Sequence, residues 1–279
     1  MKLIAFTKWL VGKPMTEVAA TLVKGGFDGA DLPVREKAGM PVEEALRTLP
    51  EVKKLFADHG MTIERLVTDI IAPRPGLDEL LALFQELGIR KIRLGGKGLR
   101  PLQKAREIID EHRRELEALE PYLLKHGISG AIQIHSGATA HATMGLCMYC
   151  VRDRDPKAIG IQIDTGHLQV AGELPEQAIY MAGPYLHSIN LKAIRKAWSI
   201  DPKTGQMVWQ NIVVPLPDGT VNWRSIFRTI ADVGYKDPLS IHPEYRSPYY
   251  RYEENTELTT KLISQDRAFV AAILEEMGL

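Results

Sequence analysis

Cysteine is nearly absent from this chain of 279 residues, which contains only Cys147 and Cys150. This pair cannot hold so long a chain together, and no second pair completes a zinc site, so we interpret both as core thiols in a reducing compartment. Long hydrophobic runs are also missing. The first apolar stretch, LIAF, is too short for a secretory core, and no run approaches the roughly 20 residues of a membrane span. We therefore expect a cytoplasmic protein without a membrane partner.

An excess of charge of either sign is absent as well. Lysine and arginine together number 35, and aspartate and glutamate also number 35, so the formal net charge is zero. Proteins dedicated to nucleic-acid binding normally carry a basic excess, so nucleic acid is not an expected partner. The hydrophobic content of 45% is ordinary for a globular protein and is sufficient for one large core.

The chain does contain a regular alternation of short apolar runs with longer amphipathic stretches. This pattern predicts eight strands, at residues 3–7, 27–32, 62–67, 91–95, 130–134, 159–164, 187–192 and 238–242. Several of the stretches between them end with glycine directly before the next run, as helices commonly do. Eight strand and helix units in about 250 residues match a closed (β/α)8 TIM barrel. We therefore expect an α/β protein with a single domain over residues 1–279.

An open doubly wound sheet is the alternative fold, and it requires a glycine-rich phosphate turn after the first strand. The residues after Phe6 read TKWLVGKP, which is not such a turn, so no nucleotide cofactor is expected. The longest insertion, residues 192–221, is polar and rich in proline and glycine. Loops that follow barrel strands lie over the active-site face, so we interpret this insertion as a candidate lid.

Polar residues recur at every second position near the ends of the last four predicted strands. Side chains alternate between the two faces of a strand, so in IGIQID the isoleucines face the outer helices while Gln162 and Asp164 face the barrel interior. The same alternation places these residues inside: Gln133, His135, Ser188, Asn190, Lys192, Ser240, His242 and Glu244. Burying them together is costly unless they bond to one another, to a ligand or to a metal. Because barrel enzymes assemble their sites at the carboxyl ends of the strands, this set is the candidate functional site.

Five motifs lie in order at these strand ends. They are Gln133 to Gly137 (QIHSG), Asp164 to His167 (DTGH), Lys192 with Trp198 soon after, Pro215 to Val221 (PLPDGTV), and His242 to Tyr245 (HPEY). With these motifs, and along essentially the whole chain, the sequence resembles the sugar phosphate isomerase/epimerase group of xylose isomerase-like TIM barrels. The resemblance implies an enzyme of carbohydrate metabolism with a small-molecule sugar or keto-sugar as its partner. It leaves the oligomeric state open, a homo-oligomer included.

The resemblance also implies a divalent metal. Typical members of that group hold it with Glu, Asp, His and Glu from the fifth to the eighth strand, and the two glutamates move a proton between adjacent sugar carbons. The corresponding residues here are Gln133, Asp164, Asn190 and either His242 or Glu244. A site of Gln133, Asp164, Asn190 and Glu244 would be all oxygen and would favour Mg, Ca or Mn over Zn. Gln133 cannot act as a base at neutral pH, so the two-glutamate transfer is not expected in this chain.

Removing a proton next to a carbonyl needs a base and a group that stabilises the enolate oxygen. We predict Glu244 or His242 as the base, and Lys192 or a metal bound through Asp164 as the stabiliser. This chemistry fits a sugar isomerase or epimerase, and equally a lyase or hydratase acting on 3-keto-glycosides. A non-catalytic sugar-binding barrel is the alternative from another class. A DNA-repair nuclease of the same superfamily is disfavoured, because the strand ends offer too few histidines and acids.

Four residues are predicted to contact the substrate. His135 ends the fifth strand, and the resemblance implies that His167 binds a substrate hydroxyl. Arg195 belongs to a group of basic residues that map to the mouth of the barrel, where they would attract an anion or stabilise an enolate. Trp198 is suited either to stacking on a sugar ring or to anchoring the long insertion.

Overall fold

The structure, a computed structural model, describes residues 1–247 and 250–279. Its strands are β1 (Leu3–Phe6), β2 (Gly29–Pro33), β3 (Thr62–Val67), β4 (Lys91–Arg93), β5 (Ser129–Gln133), β6 (Ile159–Asp164), β7 (Leu186–Leu191), β8 (Ala193–Ile200), β9 (Met207–Val214), β10 (Leu239–Ile241), β11 (Arg246–Ser247) and β12 (Tyr250–Arg251). Strands β1 to β7 and β10 form a closed barrel in which β1 pairs in parallel with both β2 and β10. The expected α/β fold, a single TIM barrel, is confirmed, and each of the eight predicted strands corresponds to a barrel strand.

Helices follow the strands and cover the outside of the barrel. They are α1 (Met15–Lys24), α2 (Val42–Asp58), α3 (Leu77–Glu86), α4 (Ala105–His126), α5 (Met144–Val151), α6 (Thr165–Ala171), α7 (Pro175–Ala182), α8 (Trp223–Asp232) and α9 (Thr256–Met277). In α4 the buried side chains are spaced three and four residues apart, which places them on one face of the helix: His112, Leu116, Leu119, Leu123 and His126. Gly127 ends this helix with a positive φ of 59°, which glycine adopts without strain.

The two cysteines lie on α5 and are free and buried, as predicted for core thiols. Among the helices of the described ranges, none is long and apolar enough to cross a membrane.

The long insertion after β7 folds into a two-stranded antiparallel ribbon of β8 and β9, with Trp198 opposite Trp209. The turn of this ribbon is fixed by Asp201, whose side chain accepts a hydrogen bond from the Lys203 amide. Both tryptophans are mostly exposed, at 60% and 69%. The insertion is therefore a ribbon of two strands and not a crossover helix. Its role as a lid stays a prediction.

The segment after β10 is anchored to the last helix through Asp266 of α9. The Asp266 carboxyl accepts a hydrogen bond from the Leu216 amide at 2.8 Å and another from the Tyr245 hydroxyl at 2.5 Å. Tyr245 directly follows Glu244 in the sequence, so this contact fixes the backbone beside a predicted site residue. Asp266 is fully buried, and this burial raises the pKa of its carboxyl to about 7.

The Asp266→Asn variant is expected to remove a pH-dependent loss of stability. In the wild type the unfolded chain releases the Asp266 proton near its ordinary pKa of 3.8, whereas the folded protein keeps it until about pH 7. The free energy of unfolding contributed by this group therefore falls as the pH rises between these two values and is constant above them. Urea unfolding at about pH 5, 6, 7 and 8 should show the wild type losing stability relative to the variant up to pH 7, with no further change.

The exposed Asp58 provides the control for this measurement, because Asp58→Asn should show no such trend relative to the wild type. A constant difference between Asp266→Asn and the wild type from pH 5 to 8 would contradict the raised pKa.

Candidate active site

A pocket opens at the carboxyl ends of the barrel strands. Residues from both halves of the chain line it: Phe6, Lys8, Arg35, Val67, Arg93, Gln133, His135, His167, His242 and Glu244. Its free volume is about 60 Å³, which is small for a sugar-sized ligand, and Lys8 and Arg35 form part of its partly exposed rim.

Two lysines hold the carboxylate of Glu244 at the edge of this pocket. Lys8 Nζ lies 2.6 Å from Glu244 Oε1, and Lys192 Nζ lies 2.6 Å from Glu244 Oε2. The Lys192 side chain is only 2% exposed and lies directly behind Glu244. Its ammonium is also 3.4 Å from Asp164 Oδ2. Lys192 therefore joins the carboxylates that end β6 and follow β10.

The protonation states follow from these contacts. Burial alone would raise the pKa of Glu244, but the Lys192 and Lys8 ammonium groups outweigh it and hold that pKa well below its usual range. Burial likewise opposes charge on Asp164 and Lys192, yet their mutual attraction lowers the pKa of Asp164 and, together with Glu244, raises the pKa of Lys192. At neutral pH the site therefore contains two carboxylates and a permanently charged ammonium.

Asp164 is oriented by the start of helix α6, which it caps. Its Oδ1 atom accepts hydrogen bonds from the amides of Gly166 at 3.1 Å and His167 at 3.0 Å. Its other oxygen, Oδ2, accepts a hydrogen bond from the Gln133 amide nitrogen at 2.8 Å. The DTGH motif thus fixes the carboxylate by local backbone geometry, and Gln133 satisfies the oxygen that faces Lys192.

The stem of Lys192 is held just as closely. The Thr165 hydroxyl donates to the Lys192 carbonyl at 2.7 Å and accepts from the Lys192 amide at 3.0 Å. A Cβ atom on Gly166 would lie 2.6 Å from Lys192 Cγ, so glycine is required for the side chain to pass. The same motif that orients Asp164 therefore also positions the ammonium beside it.

His167 and His135 pack against each other on the neighbouring wall, with tilted rings whose centroids are 4.1 Å apart. His167 Nδ1 is 2.9 Å from the Ser136 hydroxyl, and its Nε2 is 3.3 Å from Lys192 Nζ. Burial, assisted by the Lys192 charge, lowers the pKa of His167 to about 3. The lowered pKa indicates a neutral imidazole, whose Nε2 faces the Lys192 ammonium and whose Nδ1 also lies 3.3 Å from the Ser136 amide nitrogen, which donates to it.

A second buried network adjoins this cluster and comes partly from β2 and β3, outside the last four barrel strands. Arg65 of β3 forms an ion pair with Asp31 of β2 and donates to Asn190 Oδ1 at 2.8 Å. Ser240 Oγ donates to the same Asp31 at 3.0 Å. In GADLP, period-two alternation opposes Asp31 to the apolar Ala30 and Leu32 and so indicates that Asp31 faces inward. TIERLV gives no such signal for Arg65, which shares its face in the alternation with Ile63 and Val67 and pairs with β2 beside a register shift.

Two pocket-lining side chains have buried polar atoms for which the described residues offer no hydrogen-bond partner. They are Arg93, through Nε, and His242, through both ring nitrogens. His242 stacks on Phe6 at 4.5 Å between ring centroids, and its Nε2 is 3.6 Å from Asp31, beyond hydrogen-bond distance. Burial lowers the pKa of His242 and lowers that of Arg93 to about 10, so Arg93 keeps its charge at neutral pH. Unpaired buried polar atoms of this kind fit ordered water or substrate hydroxyls.

The structure brings eight of the ten predicted site residues together: Gln133, His135, Asp164, His167, Asn190, Lys192, His242 and Glu244. It does not bring Arg195 and Trp198 to the pocket. Both lie on the exposed part of the ribbon, where Trp198 pairs across the strands with Trp209. Their predicted contacts with substrate would require the ribbon to move over the pocket.

The residues present do not fit the divalent metal that the resemblance implies. Asn190 turns its amide oxygen to Arg65, and Gln133 turns its amide nitrogen to Asp164. The ammonium of Lys192 stands between the carboxylates of Asp164 and Glu244. Within residues 1–247 and 250–279, no group of three or more His, Cys, Asp or Glu side chains is arranged to hold a metal.

A closed parallel barrel with an ionisable cluster at the carboxyl ends of its strands is the arrangement of a TIM barrel enzyme. The chain belongs to the xylose isomerase-like TIM barrel family, whose sequence pattern matches residues 19–264. No curated protein matches it in sequence.

Solved structures with the same fold include sugar epimerases and a dehydratase. D-psicose 3-epimerase from Clostridium cellulolyticum, solved with D-tagatose, is 14% identical, with 98% of this chain and 99% of that chain covered at a TM-score of 0.69. The probable 3-DHS dehydratase AsbF from Bacillus anthracis is 17% identical, with 97% and 99% covered at 0.69. A xylose isomerase-like TIM barrel protein from Mycobacterium smegmatis, in complex with magnesium, is 19% identical, with 91% and 90% covered at 0.63. A divalent metal therefore occurs within this fold, although the residues described above do not fit one.

Gly166→Ala is expected to lower the free energy of unfolding by about 1 to 3 kcal/mol, because the added methyl group overpacks the stem of Lys192. Gly145, inside α5 with no atom within 4 Å of an added Cβ, is the matched control. Gly145→Ala should gain up to about 1 kcal/mol from helix propensity. Urea unfolding of both variants measures the difference, and equal effects at the two positions would contradict the close approach of Lys192.

Proposed function

We propose that this protein is an isomerase or epimerase of a sugar or keto-sugar and that it works through an enolate-type intermediate at the carboxyl end of the barrel. The observation that carries the proposal is the Glu244 carboxylate, which lines the pocket and is held in place by two ammonium groups. A carboxylate beside fixed positive charge is the pair of groups that enolate formation requires. The family and its epimerase neighbours support a carbohydrate substrate.

Glu244 is the base in this proposal. In the free protein its basicity is suppressed by Lys8 and Lys192. Lys8 lies on the partly exposed rim. In this proposal a substrate that enters the pocket separates Lys8 from Glu244, and the Lys8 ammonium then binds oxygens of the substrate. The pKa of Glu244 then rises, because the carboxylate loses one of its two ion pairs. The carboxylate thus becomes more basic when a substrate is present to react.

The pocket carries more positive than negative charge. Lys8, Arg35 and Arg93 line it and Lys192 stands behind Glu244, against the carboxylates of Glu244 and Asp164. Such a field stabilises the negative charge that develops on an enolate oxygen. The unpaired atoms of Arg93 and His242 are available to bind the oxygens of a polyhydroxylated substrate.

The fate of the enolate decides between related reactions. Return of the proton by Glu244 to the former carbonyl carbon, with transfer of the hydroxyl proton on the neighbouring oxygen to the former carbonyl oxygen, gives an isomer. Return of a proton to the original carbon from the opposite face of the enolate, by a second acid, gives an epimer. Loss of a group from the carbon next to the enolate gives elimination, the lyase or hydratase reaction. A dehydratase among the solved structures with this fold favours elimination as the second candidate.

The direct test is incubation of the protein with a panel of aldoses, ketoses and 3-keto-glycosides in deuterated water. Proton NMR should show loss of the signal of the hydrogen bound to the carbon next to the carbonyl, because a base that removes this hydrogen as a proton returns deuterium from the solvent. The mass of the product then separates an isomer from an elimination product. Sugar binding without any exchange across the panel would instead support a non-catalytic sugar-binding barrel.

Glu244→Gln and Asp164→Asn are each expected to slow the exchange by about 100-fold, the usual scale for loss of a general base or an electrostatic partner. Glu275→Gln, at the exposed end of α9, is the control and should leave the rate unchanged. Circular dichroism should confirm that all three variants fold. Wild-type rates in both site variants would overturn the assignment of the site.

A further inference from the structure

The position between the carboxylates of Asp164 and Glu244 is taken by the side chain of Lys192. Its Nζ atom is 2.6 Å from Glu244 Oε2 and 3.4 Å from Asp164 Oδ2, and the side chain is 2% exposed. The resemblance places one metal-ligating carboxylate at Asp164 and the last metal ligand at either His242 or Glu244. In this chain the carboxylates of Asp164 and Glu244 already have a cation between them, and it is covalently part of the protein.

Lys192 is held so that it cannot easily leave. Both backbone polar groups of Lys192 bond to the Thr165 hydroxyl, and its stem packs against the bare backbone of Gly166. Asp164 is fixed in turn as the cap of α6. A metal would require this ammonium to move away from two carboxylates in a site with very little solvent.

The remaining donors and the charge balance also oppose a divalent ion. The oxygen of the Asn190 amide is used by Arg65, and Gln133 presents its nitrogen to Asp164. The two carboxylates are already matched by Lys8 and Lys192, and Arg93 adds a further positive charge. A divalent ion at this point would lie beside ammonium groups that already match both carboxylates, which is unfavourable in a buried site.

We propose that the Lys192 ammonium replaces the divalent metal as the resident cation of this site. It fixes the positions of the Asp164 and Glu244 carboxylates and supplies the positive charge behind the base. The protein therefore functions without a bound metal. The functional part of this statement rests on the proposed enolate chemistry. The exclusion of metal does not, because it concerns the free protein alone.

Metal binding tests the exclusion without any substrate. Chelator-treated wild type, Lys192→Ala and Lys196→Ala are titrated with Mn²⁺, and free Mn²⁺ is followed by electron paramagnetic resonance. The wild type and the control Lys196→Ala, an exposed lysine on the ribbon, should show no saturable binding up to about 1 mM. Lys192→Ala leaves two carboxylates and an open space, and should bind Mn²⁺ at least about 10-fold more tightly than the wild type. One Mn²⁺ bound by the wild type and lost in Lys192→Ala would overturn the proposal.

Two measurements keep the test decisive if Lys192→Ala folds poorly. The Lys192→Arg variant keeps a cation in place and should exclude Mn²⁺ as the wild type does; saturable binding by Lys192→Arg or the wild type would overturn the proposal. Elemental analysis of the wild type as purified should give much less than one equivalent of any divalent transition metal or magnesium. A full equivalent retained through dialysis would contradict the resident-ammonium assignment.

The exchange assay tests the functional part. The exchange rate of the wild type should be unaffected by EDTA, and the exchange rate of Lys192→Ala should be lower by about 100-fold or more. Ethylammonium should raise the exchange rate of Lys192→Ala at least about 10-fold, because a free alkylammonium ion can occupy the space of the missing ammonium. If the role of Lys192 were purely structural, the added ion would not raise this rate. EDTA-sensitive wild-type exchange that Mn²⁺ restores would refute metal independence. Absence of exchange on every sugar would refute the proposed function while leaving the binding result to decide the exclusion of metal.

Discussion

The site depends on one buried ammonium. Lys192 carries a charge that is costly to remove from water, and the two carboxylates around it offset that cost only if they are held at short range. The neighbouring sequence serves this requirement. Gly166 lets the stem pass, Thr165 binds its backbone, and the start of α6 orients Asp164. The barrel supplies the rigid frame that brings strands β6, β7 and β10 together.

The fold could be predicted from the sequence because it follows from local patterns. Alternating apolar runs and glycine stops define eight strands, and eight strands with helices between them close in only a few ways. Much of the site could be predicted for the same reason. Period-two alternation in the last four strands placed Asp164, Lys192 and Glu244 on the inner face, and the structure brings these three side chains into one cluster.

Pairing between side chains could not be predicted in the same way, because it depends on distances across the barrel. The sequence showed that Asn190 faces inward, but only the structure shows that its oxygen is used by Arg65 from the opposite half of the chain. The inward direction of Lys192 predicted a group that stabilises an enolate oxygen, but it did not show that the ammonium pairs with two carboxylates. The strand pairing of the ribbon could not be predicted from local patterns either, since a polar insertion rich in proline and glycine is equally typical of an irregular loop.

The ribbon begins at Ala193, the residue that directly follows Lys192, so a segment with an exposed tip is joined by a single peptide bond to a buried charge. The paired hydrogen bonds between Thr165 and the Lys192 backbone lie at this junction. They fix the backbone of Lys192 at the point where the ribbon leaves the barrel, and none of the residues at the exposed tip takes part in them. A movement of the tip toward the pocket can therefore leave the ammonium between its two carboxylates.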